Sequence, residues 1–297
     1  MTRRELAGAI VAAGHVRAQG PTPFAWVNRM PADVPAGVRH GTFRSSRHGT
    51  EIGYCVYLPP GYETSSLRYP VVYYLHGGRP GSETKSIGMA RFVEKAIRSG
   101  EAPPMIYVFN NGGEVSHYDY PQAVSYGETA LVRELIPHVD ATYRTIARRE
   151  GRGIEGFSQG GRGTARIVFR YPELFVSAAP MGGGHQHEKH IREHNGKEDG
   201  EPGYVFPAKH NTYDLASAYA AKPVRPLHIL VAVGTKDFNY EANLEWMRHL
   251  DSLSIPYRKI IVPDVPHNAA LVYEKIGSEA IRFHAGNFKR ELGRDWM

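Results

Sequence analysis

The sequence predicts an α/β fold built on a doubly wound, mostly parallel sheet, and three observations carry that prediction. Short, continuously apolar runs at Val71 to Leu75, Met105 to Phe109 and Leu227 to Val233 have the length and composition of strands covered on both faces. Between such runs lie segments with apolar residues at helical spacing, for example Ile87, Ala90, Val93 and Ile97. Each run stops in a glycine-rich or polar loop, so chemistry-bearing residues from distant parts of the chain collect at one edge of the sheet.

Composition narrows the classes of function. The 297 residues are long enough for one large α/β domain with a substantial core. The 41% hydrophobic and 22% charged content is that of a globular chain, and no apolar run approaches the roughly 18 residues that span a bilayer, so no membrane partner is expected. The net charge of +6 is spread without a dense Lys/Arg block, which argues against nucleic acid as a partner. Cys55 is the sole cysteine, so no intrachain disulfide forms.

Residues 1–40 read as an N-terminal arm. Arg3 and Arg4 before the apolar stretch Leu6 to Gly14 fit an export signal, which implies a secreted or periplasmic protein; the stretch is short and His15 and Arg17 follow at once, which fits an amphipathic helix or tail and a cytoplasmic one. Pro21 to Pro35 is expected to be irregular and pinned by Phe24 and Trp26. The domain proper is placed at 41–297. It opens on an antiparallel hairpin, Thr42 to Ser46 and Ile52 to Leu58, turning at His48-Gly49. Val71 to Leu75, the helix from Ile87, and Met105 to Phe109 follow. Leu131, Leu135 and Val139 mark a further helix in which Pro137 forces a kink or restart. A short strand from Gly153 to Phe157, a helix from Gly160 to Tyr171, strands at Phe175 to Ala179, Leu227 to Val233 and Tyr257 to Val262, and one last helix through Val272, Ile276, Ala280 and Phe283 complete the series.

The chemistry centres on Gly156-Phe157-Ser158-Gln159-Gly160, a GxSxG motif between a strand and a helix. That context makes it the nucleophile elbow of an α/β-hydrolase, with glycines where any side chain would strike the neighbouring strand or helix. A serine hydroxyl needs a base within hydrogen-bond reach, and that base needs a carboxylate to fix its tautomer. Asp237 and His267 follow in the order Ser, Asp, His, each just past a strand, as the catalytic set; Asp264 is the rival acid. The oxyanion hole is assigned to the amides of Gln159 and Gly78, with Arg79 as the alternative to Gly78 in the loop His76-Gly77-Gly78. His117, Tyr118 and Tyr120, after a strand end, are read as a substrate wall or as surface residues without a role, and Phe238 beside Asp237 is a further substrate contact.

Residues 181–226 break the tight alternation and are the candidate cap. Their His185, His187, His190 and His194 match no metal-binding spacing and are interleaved with Lys189, Arg192 and Lys197, so a solvated polar loop is expected there rather than a zinc site. A serine mechanism requires neither cofactor nor metal.

Longer stretches resemble the esterase D and feruloyl esterase group of α/β-hydrolases, related to enterochelin esterases and to carbohydrate esterase family one. They are Tyr57-Leu58-Pro59-Pro60-Gly61-Tyr62, Tyr69 to Gly78, Glu134-Leu135-Ile136-Pro137 with Asp140-Ala141-Thr142-Tyr143-Arg144, and Gly156 to Gly161. The resemblance covers Gly41 to Arg290. It implies the same triad and oxyanion donors in a serine esterase, with an acyl or feruloyl ester of a carbohydrate as substrate. Mycolyltransferases share the fold and imply an acyltransferase as the alternative, and an idle glycan-binding module is the reading outside enzymes. Oligomeric state is not legible.

Overall fold

Alternation along the central strands builds the sheet. In a strand, successive side chains point to opposite faces, so an all-apolar run must be covered twice. Val71, Tyr73 and Leu75 enter one apolar cluster, whereas Val72 and Tyr74 enter the other. The computed structural model describes residues 24–185, 190–191, 204–205, 209–223 and 226–293.

The eight strands are β1 (Val38–Arg44), β2 (Glu51–Tyr57), β3 (Val71–Leu75), β4 (Ile106–Asn110), β5 (Arg152–Phe157), β6 (Ser177–Met181), β7 (His228–Lys236) and β8 (Arg258–Pro266). They lie in the order β1-β2-β4-β3-β5-β6-β7-β8. Only β2 runs antiparallel to its neighbours, β1 and β4; every other pairing in the sheet is parallel. This is the doubly wound, mostly parallel sheet with the expected N-terminal hairpin.

Helices cover both faces. On one side lie α1 (Ala90–Arg98), α6 (Ala269–Ile276) and α7 (Glu279–Leu292), which contribute Val93, Tyr273 and Phe288 to one cluster. On the other lie α2 (Ile136–Thr142), α3 (Gln159–Arg170), α4 (Thr212–Ala221) and α5 (Tyr240–Ser252), with Val139, Phe169, Tyr213 and Trp246 in the second cluster. The kink at Pro137 takes a definite form. A π-helical stretch, Ala130–Leu135, runs directly into α2, and the wider turn accommodates a proline that cannot donate to the helix ladder.

Several element boundaries differ from expectation. The strand expected at Phe175 to Ala179 is Ser177–Met181: Phe175 is buried ahead of it, and Val176 bonds to both neighbouring strands, its N–H donating to Arg152 C=O at 3.1 Å and its C=O accepting from His228 N–H at 3.0 Å. The single last helix is two, broken at Gly277, which takes φ of 57°. The strands leading into Asp237 and His267 run further than the apolar runs, to Lys236 and Pro266. The arm is pinned as expected: Trp26 C=O accepts from Gly53 N–H at 2.7 Å, and Phe24 packs edge-on against the Trp26 ring at 4.7 Å. The export-signal stretch expected within residues 1–18 lies outside the described residues, as do His187, Lys189, Arg192, His194 and Lys197. Among the described residues no helix is long and apolar enough to cross a membrane.

Candidate active site

Ser158 sits between β5 and α3 with φ 61° and ψ −119°, a strained conformation for a residue with a side chain, costing on the order of 1–3 kcal/mol. The turn is held from both sides. Ser158 N–H donates to Met181 C=O at 3.0 Å, and Ser158 C=O accepts from Arg162 N–H at 3.0 Å. Close backbone approach explains the flanking glycine: a Cβ on Gly160 would stand 1.9 Å from Leu75 O. The helix N-terminus therefore abuts the end of β3, and amides of its first turn have no partner within the helix.

The ends of β7 and β8 deliver the other two side chains. Asp237 is 4% exposed, and its carboxylate accepts from Asn239 N–H at 2.7 Å. His267 precedes Asn268, whose side chain caps α6 by accepting from Leu271 N–H at 3.1 Å. The three converge. His267 Nε2 lies 2.8 Å from Ser158 Oγ, and His267 Nδ1 lies 2.8 and 2.9 Å from the two Asp237 oxygens. An N–H on Nδ1 is the only donor in that second contact, because an ionised carboxylate only accepts; Nε2 is then left bare toward the serine hydroxyl. The rival acid is elsewhere, since Asp264 is exposed and paired with Lys236 at 2.9 Å.

Two aromatic rings flank the imidazole, Phe157 at 4.7 Å and Phe238 at 4.0 Å. Phe238 is 53% exposed, so it presents an apolar face beside the His267 imidazole. The loop after β3 passes the serine: a Cβ on Gly77 would meet Ser158 Cβ at 3.3 Å, and Gly78, at φ 63°, follows it.

His117 and Tyr118 are not a substrate wall. Both are buried, at 0% and 1% exposure. Ser116 and His117 take φ of 40° and 64°, which turns this part of the loop inward. His117 Nε2 then donates to His76 C=O at 2.9 Å, and the Tyr118 ring lies under the Arg166 guanidinium at 3.7 Å. Arg166 in turn pairs with buried Glu128 at 2.9 Å. Burial holds His117 down to about 4 and pushes His76 well below the usual imidazole range. Ser116 escaped sequence reasoning altogether; its hydroxyl donates to Gly78 C=O at 2.8 Å. No local pattern marks it, because the contact exists only through the left-handed backbone.

His185 is likewise not part of a solvated loop. It is buried with its ring stacked on Trp246 at 4.0 Å and 18°. Burial and the nearby Arg162 push it well below the usual imidazole range. No group of His, Cys, Asp or Glu able to hold a metal occurs among the described residues.

The strand order, the strained serine between β5 and α3, and the Ser-His-Asp contacts past β5, β7 and β8 define an α/β-hydrolase. More narrowly, the chain belongs to the esterase family: the family model described as "Putative esterase" matches residues 45–253. An esterase of Mycobacterium tuberculosis is 32% identical over 145 residues, 48% of this chain and 31% of that protein. An endo-1,4-beta-xylanase/feruloyl esterase of Xylanibacter ruminicola is 30% identical over 174 residues, 52% of this chain and 23% of that one. The match thus spans under a third of the length of these relatives. Among solved structures, a ferulic acid esterase superposes with a TM-score of 0.69 at 22% identity, covering 84% of this chain and 98% of that one. An S-formylglutathione hydrolase from Agrobacterium tumefaciens gives 0.69 at 16% identity, with 86% and 98% covered. At these identities the structures show a shared fold.

Proposed function

We propose that the chain hydrolyses carboxylic esters through an acyl-enzyme on Ser158. The observation that carries the reading is the unbroken chain of contacts from Ser158 Oγ through His267 to Asp237. Ser158 Oγ attacks the ester carbonyl while His267 Nε2 takes its proton. The resulting imidazolium is stabilised by Asp237. His267 returns the proton to the departing alcohol, and a water molecule activated by the same nitrogen releases the acid. The amides of Gln159 and Gly78 are the proposed donors to the tetrahedral oxyanion, supported by their places at the start of α3 and in the loop beside Ser158.

The substrate class is an acyl or feruloyl ester of a carbohydrate. Support comes from the relatives named as feruloyl esterases and from the exposed Phe238 ring, a flat apolar surface beside His267 suited to an aromatic acyl group. The hydrolase unit is proposed as residues 41–297; within the expected cap segment 181–226, Met181 belongs to β6 and α4 packs into the layer that covers the sheet, so neither is part of a cap.

Initial rates on a panel of p-nitrophenyl acyl esters and methyl ferulate, for wild type and Ser158→Ala side by side, test the reading. Turnover by the wild type and a loss on the order of 10⁶-fold in the variant is expected. Equal rates in the two proteins would refute it.

A further inference from the structure

The loop that passes Ser158 carries three successive peptide units, and a side chain pins the carbonyl of each. His76 C=O accepts from His117 Nε2 at 2.9 Å. Gly77 C=O accepts from His76 Nδ1 at 3.2 Å. Gly78 C=O accepts from Ser116 Oγ at 2.8 Å. A trans peptide is planar with its N–H directed opposite to its C=O, so pinning these three oxygens sets the directions of the Gly77, Gly78 and Arg79 N–H groups. Those are the amides from which the oxyanion donor on this loop is drawn.

The pins are themselves fixed by protonation and burial. Gly112 N–H donates to His76 Nε2 at 3.0 Å, so that nitrogen is bare and the proton sits on Nδ1, where it reaches Gly77 C=O. His117 has the opposite tautomer: Nε2 carries the proton, and Nδ1 has no hydrogen-bond partner among the described residues. The rings lie 4.4 Å apart, and His76, Ser116 and His117 are all buried. The backbone that aims Ser116 and His117 at the loop is strained, with two consecutive non-glycine residues in the left-handed region. It is braced by His117 N–H donating to Gly112 C=O at 2.8 Å and by Arg166 donating to His117 C=O at 3.2 Å. Strain of this kind persists only where surrounding contacts over-determine it, and here the strained pair reaches two of the three carbonyls, those of His76 and Gly78, while His76 holds the third.

We infer that His76, Ser116 and His117 form a buried clamp that positions the oxyanion-binding amides of the 76–79 loop, a role that rests on the hydrolytic reading of Ser158. None of the three touches substrate; each is a positioning residue. The clamp acts in the transition state, because the amides it aims meet a full negative charge only when the carbonyl becomes tetrahedral.

The test compares wild type with Ser116→Ala, His117→Phe and His117→Gln. Two readouts are taken on the ester hydrolysed best: the kcat and KM values, and the inhibition constant of the trifluoromethyl ketone bearing the same acyl group. In that inhibitor Ser158 Oγ bonds to the ketone carbon, the C=O π electrons move onto oxygen as an oxyanion, and the hydroxyl proton passes to His267. Ser116→Ala and His117→Phe are expected to lower kcat roughly ten- to a hundredfold and to weaken the ketone by the same factor, with KM nearly unchanged. His117→Gln, whose amide N–H can replace the lost donor, recovers part of both. A purely structural role would lower thermal stability without moving kcat and the ketone constant together. Unchanged kcat and ketone binding in folded Ser116→Ala, which keeps the backbone and removes one hydroxyl, overturns the clamp even if His117→Phe fails to fold. A wild type no faster than Ser158→Ala overturns the hydrolytic reading and the clamp with it, and so separates the two failures.

Discussion

Placing one methyl group on Gly160 tests the elbow geometry directly. A Cβ there would stand 1.9 Å from Leu75 O, 2.7 Å from Leu75 C and 2.8 Å from His76 O. All three are backbone atoms, so no side chain can swing away. To reach even 3.0 Å from Leu75 O the start of α3 and the end of β3 must separate by at least about 1.1 Å. Overpacking of this kind typically costs about 1–3 kcal/mol, and the absence of any yielding side chain puts Gly160→Ala at the upper end. The displacement falls between the two segments proposed to supply oxyanion donors, where an error of about 1 Å costs on the order of 100-fold in rate. Urea unfolding and kcat on a p-nitrophenyl ester measure both effects. Gly286→Ala is the control: a Cβ there meets nothing within 4 Å, in the interior of α7, so the substitution is expected to stabilise by about 0.5–1 kcal/mol without touching activity. A Gly160→Ala protein with wild-type stability and kcat would contradict the packing argument.

Three further outcomes follow from the same structure. Asp237→Asn removes the acceptor that fixes the His267 tautomer, so kcat is expected to fall on the order of 10⁴-fold with little loss of folding; a drop under about tenfold excludes the assigned role. His117 is held neutral in the fold at about 4, below its unfolded value of 6.5, by burial first and by the cations Arg166, Arg79 and Lys85, while its contact to His76 C=O raises it. The unfolded chain therefore binds the extra proton first. The stability this contributes is complete above pH 6.5 and is lost as pH falls toward 4, amounting to about 2 kcal/mol by about pH 5. Urea midpoints at about pH 7 and pH 5 should show that loss in the wild type and a smaller one in His117→Gln; identical pH dependences count against it. Cys55 is fully buried, and burial followed by the Glu83 charge pushes its thiol up to about 12, so iodoacetamide at about pH 8 should modify it only after denaturation.

The parts of the fold that depend on pattern were legible in the sequence. Val71–Leu75 and residues 106–109 are apolar on both faces, and only a doubly covered sheet tolerates that. Ser158, Asp237 and His267 were legible because each follows a strand and their order suits the topology. The preference for Asp237 over Asp264 agrees with where the two carboxylates lie, one buried against His267 and one exposed against Lys236. What was not legible depends on backbone direction. His117 and Tyr118 are polar residues in a loop, the usual mark of exposure, yet positive φ at Ser116 and His117 turns them inward onto His76 C=O and Arg166. His185 shows the same limit: its hydrophilic neighbours suggested solvent, while its ring stacks on buried Trp246. The break at Gly277 was masked by helical spacing that carries across it, because α6 and α7 bury residues in one cluster.

Trapping the acyl group tests the central claim most directly. The protein is mixed with excess p-nitrophenyl ester, quenched in acid within the first turnover, digested, and weighed peptide by peptide. The account predicts a mass increase equal to the acyl group on the peptide containing Ser158, and no such adduct in Ser158→Ala. An acyl adduct on a different residue, or turnover that persists in Ser158→Ala, would contradict it.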